Sequence, residues 1–214
     1  MIKACIFDLD GVIVDTAHYH YLAWRRLAEE IGVDFTESDN ERLKGVSRMR
    51  SLEIICELGG VVLSQAEMEQ MADKKNGWFK DYVAMMNPGE IFPGVKALID
   101  DLKGMGIAVA LASSSKNAQT VVHRLGIEDT FDAIVDGNMV VHSKPDPEIF
   151  LLAARQLGME PESCVVFEDA EAGVDAALAA GMKCVGVGSP ARLGHAHIVI
   201  KNTGEFEIPI LNEL

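Results

Sequence analysis

Short apolar runs alternate with segments of helical periodicity along most of the chain. This alternation is typical of parallel β-α units, and it predicts an α/β fold with a Rossmann-like parallel sheet. The apolar runs predict strands at residues 4–7, 107–112, 133–135, 164–167, 184–187 and 197–200. Helical patterns between the later strands lie at residues 95–103, 117–125, 147–157 and 172–180.

The interval between the first two predicted strands is longer than a crossover connection requires. It runs from residue 8 to residue 106, whereas a crossover needs only about a dozen residues. Helical patterns of its own lie at residues 17–31, 49–58 and 65–83. We therefore predict an α-helical domain at residues 16–92, inserted into an α/β core domain formed by residues 1–15 and 93–214.

Composition and charge limit the kinds of molecule that this protein is expected to bind. The 214-residue chain is 49% hydrophobic and 24% charged, which is typical of a globular protein. No segment approaches the roughly 20 apolar residues of a membrane span or has the pattern of a secretion signal, so we expect a soluble cytoplasmic protein. A formal net charge of -14 should repel nucleic acid and anionic membranes. Any phosphate group must therefore be bound by a local basic site or a metal ion.

Two pairs of acidic residues follow predicted strands. Asp8 and Asp10 project to the same side at the end of the first strand, at the edge where open α/β sheets bind ligands. Carboxylates ~5 Å apart repel by about 3 kcal/mol at an effective dielectric of about 20, so a divalent cation or a proton must relieve them. Glu168 and Asp169 follow a later strand and should reach the same edge. Such oxygen ligands suit Mg2+; the alternative is that the second pair only caps the next helix.

Two further strand ends have residues suited to phosphate binding. The segment SSSKN at residues 113–117 places hydroxyls and backbone N–H groups before a predicted helix. The segment SKPDP at residues 143–147 is stiffened by two prolines, which should hold Lys144 in place. Each signal is weak alone, because serine runs often only cap helices and a single loop lysine is often only solvated.

Four stretches of the sequence resemble, in order, the four motifs of the haloacid dehalogenase superfamily of phosphotransferases. They read FDLDGVIVDT, ALASSSKN, SKPDPEIF and VVFEDAEAGVDAALAAGM, and they cover the core domain. The resemblance implies that Asp8 is the nucleophile that forms an aspartyl phosphate and that Asp10 is the general acid and base. It also implies that Ser113 and Lys144 hold the transferring phosphoryl group. The implied Mg2+ ligands are Asp8, the carbonyl of Asp10, Glu168 and Asp169.

The predicted insertion contains a basic cluster. Residues 41–50 hold four of the 19 Lys and Arg residues of the chain. Lys44 and Arg48 bracket a Gly-Val-Ser turn just before a predicted helix, a geometry suited to anion binding. The alternative is that the cluster is a solvated basic face.

Three stretches of the insertion resemble the cap domain of the β-phosphoglucomutases, a family within that superfamily. They read TAHYHYLAW, LKGVSRMRSLE and KKN. The resemblance implies that Arg48 binds the phosphate that is not being transferred, and that Ser115 and Asn117 approach this phosphate from the core. Two ordinary structural roles stay open, since Trp24 could serve packing and His20 could be a core or capping side chain. The residues implied to face the sugar are His20, Trp24, Lys44, Gly45, Ser51, Lys75 and Asn76.

The resemblance over nearly the whole chain implies a Mg2+-dependent enzyme, and we expect a monomer. Its reaction would interconvert β-glucose 1-phosphate and glucose 6-phosphate through glucose 1,6-bisphosphate. One alternative is a sugar-phosphate phosphatase of the same superfamily, which would release phosphate instead of forming the isomer. The other is a non-enzymatic phospho-switch, because receiver-type α/β domains also contain a phosphorylatable aspartate. The long insertion with its basic cluster argues against the switch.

Overall fold

The computed structural model describes residues 1–44 and 46–214, and across these residues six strands form one parallel sheet. In chain order the strands are β1 (Ala4–Phe7), β2 (Ala108–Ala112), β3 (Ala133–Val135), β4 (Cys164–Glu168), β5 (Lys183–Val187) and β6 (Ile198–Ile200). Their order across the sheet is β3-β2-β1-β4-β5-β6, so β1 pairs with β2 and β4. Each strand lies within one residue of its predicted position, and the predicted α/β fold is confirmed.

Helices fold from the long segment that follows β1. They are α1 (Ala17–Glu30), α2 (Glu37–Asn40), α3 (Arg48–Gly59) and α4 (Gln65–Val83). Helices α1, α3 and α4 share a hydrophobic cluster whose buried members include Leu27, Leu52 and Ile55. The sequence pattern predicted α1, α3 and α4, but the four residues of α2 are too few to show a helical period. The helical insertion is therefore observed, and the domain boundaries at residues 16 and 92 stay a prediction.

Further helices cover the two faces of the sheet. They are α5 (Val95–Gly104), α6 (Ala118–Leu125), α7 (Glu148–Leu157), α8 (Glu171–Ala179) and α9 (Pro190–Leu193). Alternate residues of β1 point to opposite faces, so Phe7 joins the cluster of α5 and α6 while Ile6 joins that of α7 and α8. No helix in the described part of the chain is long and apolar enough to cross a bilayer.

Helix α8 lies close to the end of β4 because its third residue is glycine. A Cβ atom on Gly173 would lie 2.0 Å from Cδ of Glu168. We expect Gly173→Ala to lower the free energy of unfolding by about 1–3 kcal/mol, because the added methyl group overpacks this contact. Urea unfolding of the purified variant measures the change.

Gly77 offers a matched control for that substitution. It is exposed within α4, and a Cβ atom added there meets none of the surrounding described atoms within 4 Å. Gly77→Ala should therefore raise the free energy of unfolding by about 0.5–1 kcal/mol, since alanine loses less backbone entropy in a helix. Changes of the same sign in the two variants would contradict this account of the α8 contact.

Candidate active site

Three carboxylates meet at the carboxyl edge of the sheet. Strands β1 and β4 are parallel neighbours with Phe7 opposite Phe167, so Asp8 and Glu168 follow at the same level. Asp8, Glu168 and Asp169 each place a carboxylate oxygen within 4.8 Å of the other two. Asp8 and Glu168 are both buried. This cluster offers only hard oxygen donors, so it could hold a divalent cation.

The turn after Asp8 fits closely against the same cluster. The backbone N–H of Asp10 donates to Oδ2 of Asp8 at 2.8 Å. Gly11 follows with a φ of 79°, and a Cβ atom there would lie 2.2 Å from Oδ2 of Asp169. Only glycine meets both the conformational and the steric requirement at this position. The carbonyl of Asp10 as a metal ligand stays a prediction.

Lys144 lies between two of the acidic residues. Its buried Nζ donates to Oδ1 of Asp8 and, at 2.9 Å, to Oε2 of Glu168. Burial alone would lower the pKa of Lys144, but these two carboxylates raise the pKa above the usual lysine value. Oδ1 of Asp146 accepts the N–H of Glu148 at 2.9 Å, which orders the loop where α7 begins, one residue later than predicted.

Burial and nearby negative charges raise the pKa values of Asp10, Glu168 and Asp169. Burial, with a further contribution from Asp8, raises the pKa of Glu168 to about 8. Burial also raises the pKa of Asp169 to about 6. The pKa of Asp10 is raised well above its usual value, first by burial and then by the charges of Asp8 and Asp169. Glu168 and Asp10 therefore tend to retain protons near neutral pH unless a cation neutralises the cluster, whereas Asp169 is mostly ionised there.

The serine-rich loop after β2 is ordered by its own hydroxyl groups. The buried Ser113 accepts the N–H of Ser115 at 3.1 Å, and the hydroxyl of Ser115 accepts the N–H of Asn117 at 3.2 Å. Two N–H groups that we expected to be available for phosphate are therefore bonded within the loop. Gly137 packs against the loop, since a Cβ atom there would lie 2.3 Å from the carbonyl oxygen of Ser114.

A buried basic group lies on the side of the inserted helices. Nζ of Lys75 is 2.8 Å from Nδ1 of His20 and 4.3 Å from the ring centre of Trp24. The His20 ring stacks on Phe79 at 4.0 Å. Burial, with a further contribution from Arg48, lowers the pKa of Lys75 well below its usual value, and burial also lowers the pKa of His20. His20 and Trp24 therefore pack against neighbours while they also line the cavity described below.

The basic cluster leads into the first turn of α3. The hydroxyl of Ser47 caps this helix, and the hydroxyl of Ser51 donates to the carbonyl of Ser47 at 3.1 Å. Arg48 Nη1 lies 3.6 Å from Oδ1 of Asp73, an exposed residue of α4. Gly45, which the sequence predicted to face the sugar, lies outside the described residues.

Two polar contacts join the inserted helices to the sheet edge. Nζ of Lys44 lies 3.1 Å from Oδ2 of Asp169. Nδ2 of Asn117 donates to Oδ1 of Asn76 at 2.8 Å. Each contact pairs a predicted residue of the insertion with a predicted residue of the core.

A cavity of about 340 Å³ separates the inserted helices from the carboxyl edge of the sheet. Ser113 and Lys144 contact its wall from the buried side, through Ser115 and Asp8 respectively. Asn76 reaches the wall through its bond to Asn117. The predicted residues in the wall are Asp8, Asp10, His20, Trp24, Lys44, Arg48, Ser51, Lys75, Ser115, Asn117 and Asp169.

The wall also contains apolar residues that the sequence did not predict. An apolar side chain in a cavity wall has the same sequence pattern as one in the core, so no motif distinguishes the two. Lys116 is also in the wall. The sequence could have indicated this position, since Lys116 lies within the SSSKN segment, but the resemblance did not assign it a role. The unpredicted apolar members are Ala17, Leu43, Val46, Met49, Val140 and Val141.

Known proteins resemble this chain over nearly its full length. It is 44% identical to the β-phosphoglucomutase of Bacillus subtilis strain 168 over 213 residues, which are 99% of this chain and 94% of that relative. It is 35% identical to the phosphorylated carbohydrates phosphatase of Thermotoga maritima, over 85% of this chain and 82% of that relative. A crystal structure of β-phosphoglucomutase from Clostridium difficile matches with a TM-score of 0.95 at 44% identity, covering 100% of this chain and 96% of that one.

A family model described as haloacid dehalogenase-like hydrolase matches residues 2–181. The matched range contains the carboxylate cluster, the serine-rich loop, Lys144 and the whole helical insertion. The family inferred from the four motifs is thereby confirmed, and the chain belongs to the haloacid dehalogenase-like hydrolases.

Proposed function

We propose that the chain is a β-phosphoglucomutase, which interconverts β-glucose 1-phosphate and glucose 6-phosphate through glucose 1,6-bisphosphate. The observation that supports this most directly is one cavity whose wall contains both the Asp8 carboxylate and the Arg48 guanidinium. The bisphosphate intermediate has two phosphates, so a mutase site needs an anion-binding group apart from its nucleophile. The Bacillus subtilis protein that is 44% identical is itself a β-phosphoglucomutase.

Asp8 and Asp10 would divide the chemistry between a nucleophile and a proton carrier. A carboxylate oxygen of Asp8 attacks phosphorus, the P–O bond to the sugar breaks, and Asp10 gives its proton to the departing sugar oxygen. In the second transfer Asp10 takes the proton of the sugar hydroxyl that attacks the aspartyl phosphate. The raised pKa of Asp10 suits this role, since a general acid must hold its proton near neutral pH.

The two transfers would form one cycle. The phosphorylated enzyme gives its phosphoryl group to the C6 hydroxyl of β-glucose 1-phosphate. The resulting bisphosphate turns around, returns its C1 phosphoryl group to Asp8, and leaves as glucose 6-phosphate. Exclusion of water by the inserted helices would protect the aspartyl phosphate from hydrolysis. The Lys44–Asp169 and Asn76–Asn117 contacts support such a closed arrangement.

The carboxylate cluster would hold Mg2+ through Asp8, Glu168 and Asp169, with the Asp10 carbonyl as a further ligand. When bound, the ion supplies positive charge that neutralises the transferring phosphoryl group. Ser113 and Lys144 would hold the same phosphoryl group, and the bond of Lys144 to Asp8 supports this placement.

The remaining predicted residues would hold the rest of the substrate. Arg48 binds the phosphate that is not being transferred, together with Ser115 and Asn117. Residues 16–92 form the cap domain over a core of residues 1–15 and 93–214. A monomeric state and a cytoplasmic location stay predictions. The sugar-facing residues are His20, Trp24, Lys44, Gly45, Ser51, Lys75 and Asn76.

A direct assay separates isomerisation from hydrolysis. Purified protein with Mg2+, β-glucose 1-phosphate and a trace of glucose 1,6-bisphosphate should form glucose 6-phosphate much faster than it releases inorganic phosphate. A coupled dehydrogenase measures the isomer, and a colorimetric test measures free phosphate. Asp8→Asn should abolish both products, because an amide cannot form the acyl phosphate. Phosphate release that outpaces isomer formation would show a phosphatase instead.

Arg48→Ala tests the second phosphate site. Isomerisation should fall by about 30-fold or more, since a charge-assisted contact contributes about 2 kcal/mol. Phosphorylation of Asp8 by acetyl phosphate should be nearly unchanged, because this donor has no second phosphate. Both rates are measured on the same preparation at saturating Mg2+.

Arg50 supplies the control, since it is exposed on the same helix and pairs with Glu53 and Glu57. Arg50→Ala should leave both rates near those of the unmodified protein. Equal losses of the two rates in Arg48→Ala would show a general effect of the charge and would remove Arg48 as the second phosphate site.

Mg2+ affinity should depend on pH between 6 and 8. Protons compete for the same oxygens, because the pKa of Glu168 is raised to about 8 and that of Asp169 to about 6. Lowering the pH therefore protonates the ligands, and the Mg2+ concentration at half-saturation should rise. Calorimetric titration at pH 6, 7 and 8 measures this concentration, with Asp169→Asn as the weakened reference. A constant affinity over this range would contradict the assigned ligand set.

A further inference from the structure

The turn that contains Asp10 is closed on itself. The N–H of Gly11 donates to the carbonyl of Val14 at 2.8 Å, and the N–H of Ile13 donates to the carbonyl of Leu9 at 3.0 Å. These bonds join both ends of the turn, so it should move as a unit. A shift of one backbone group in this turn would therefore also shift Asp10.

The same turn is paired with the segment that returns from the inserted helices. Val14 forms an antiparallel bridge with Ile91, and the N–H of Phe92 donates to the carbonyl of Ile13 at 2.9 Å. The outgoing and returning connections between the sheet and the insertion therefore lie side by side, directly after Asp10.

A segment close to the end of the sequence contacts both connections. The hydroxyl of the fully buried Thr203 donates to the carbonyl of Val12 at 2.7 Å. Gly204 lies against the returning connection, since a Cβ atom there would be 2.0 Å from the carbonyl oxygen of Pro93 and 2.9 Å from Cα of Gly94. The two backbones thus touch without room for a side chain.

Aromatic contacts anchor this segment to the strands of the active site. Phe206 meets Phe167 of β4 edge-on at 4.9 Å, and Phe167 stacks on Phe7 of β1 at 4.6 Å. Thr203 is therefore fixed relative to β1, which ends just before Asp8, and β4, which ends at Glu168. The Thr203 hydroxyl therefore contacts the turn of Asp10 from a segment that is packed against the sheet.

We propose that Thr203 is a positioning residue that sets the orientation of Asp10 by holding the Val12 carbonyl. The proposal rests on the role given to Asp10 under the proposed function. Without the hydroxyl, the buried carbonyl of Val12 loses its bond, and the closed turn is free to tilt. Proton transfer by Asp10 then suffers, while the Asp8 carboxylate stays in place at the end of β1.

Thr203→Val tests the proposal, because valine keeps the shape of threonine and removes the hydroxyl. The number of Asp8 sites that acetyl phosphate can phosphorylate, trapped by acid quench, counts the folded enzyme in each preparation. We expect kcat for isomerisation, expressed per phosphorylatable site, to fall by roughly 10- to 100-fold, as misplaced catalytic groups do. The KM and the rate of phosphorylation by acetyl phosphate should stay near the unmodified values, since acetate is a weak base and leaves without a proton from Asp10.

Thr203→Ser is the rescue variant, because it retains the hydroxyl and should keep kcat per site near that of the unmodified protein. Any one of three results would overturn the proposal. The first is an unchanged kcat per site in Thr203→Val, and the second is an equal loss of the rate of phosphorylation by acetyl phosphate in that variant. The third is a kcat per site in Thr203→Ser as low as that in Thr203→Val. The proposed function is tested separately, by comparing isomer formation with phosphate release in the unmodified protein. If that protein only releases phosphate, the same comparison applies to phosphate release, since Asp10 would also protonate that leaving group.

Discussion

Two buried carboxylates share one buried ammonium group at the edge of the sheet, and the surrounding structure keeps this arrangement in place. Asp8 and Glu168 both accept from Lys144, so the cation lies between two like charges. Breaking a buried ion pair by removing one partner is costly, because the other charge stays desolvated. The pairing of β1 with β4, the ordered loop before α7 and the close approach of α8 at Gly173 all fix the positions of these three groups.

The inserted helices change the electrostatics of a chain with a formal net charge of -14. Lys44, Arg48 and Lys75 all belong to the insertion, and all three line the cavity. Lys44 and Arg48 therefore place positive charge in the cavity wall, whereas burial lowers the pKa of Lys75, and the protein as a whole repels anions. A phosphorylated ligand would be attracted to this cleft and repelled from the remaining surface.

Local patterns in the sequence were sufficient for the strands, because each is a short apolar run bounded by polar residues or glycine. Charged and hydroxyl residues on the core side of the site were also predictable, since motif spacing places residues such as Asp8, Ser113 and Asp169 at strand ends. Contacts between segments that are distant in the sequence were not predictable. The Asn76–Asn117 bond and the position of Val141 in the cavity wall depend on how the insertion lies over the sheet, and the Thr203–Val12 bond joins residues 191 positions apart. No local periodicity contains that information.

The central position of β1 constrains the order of events while the protein is synthesised. Its four buried residues are made first, but their partners in β2 and β4 follow only at Ala108–Ala112 and Cys164–Glu168. Meanwhile the inserted helices can collapse on their own hydrophobic cluster through contacts that are closer in sequence. A ribosome that stalls midway would therefore hold a chain with compact helices and an unpaired, aggregation-prone apolar strand, which is the kind of surface that chaperones bind.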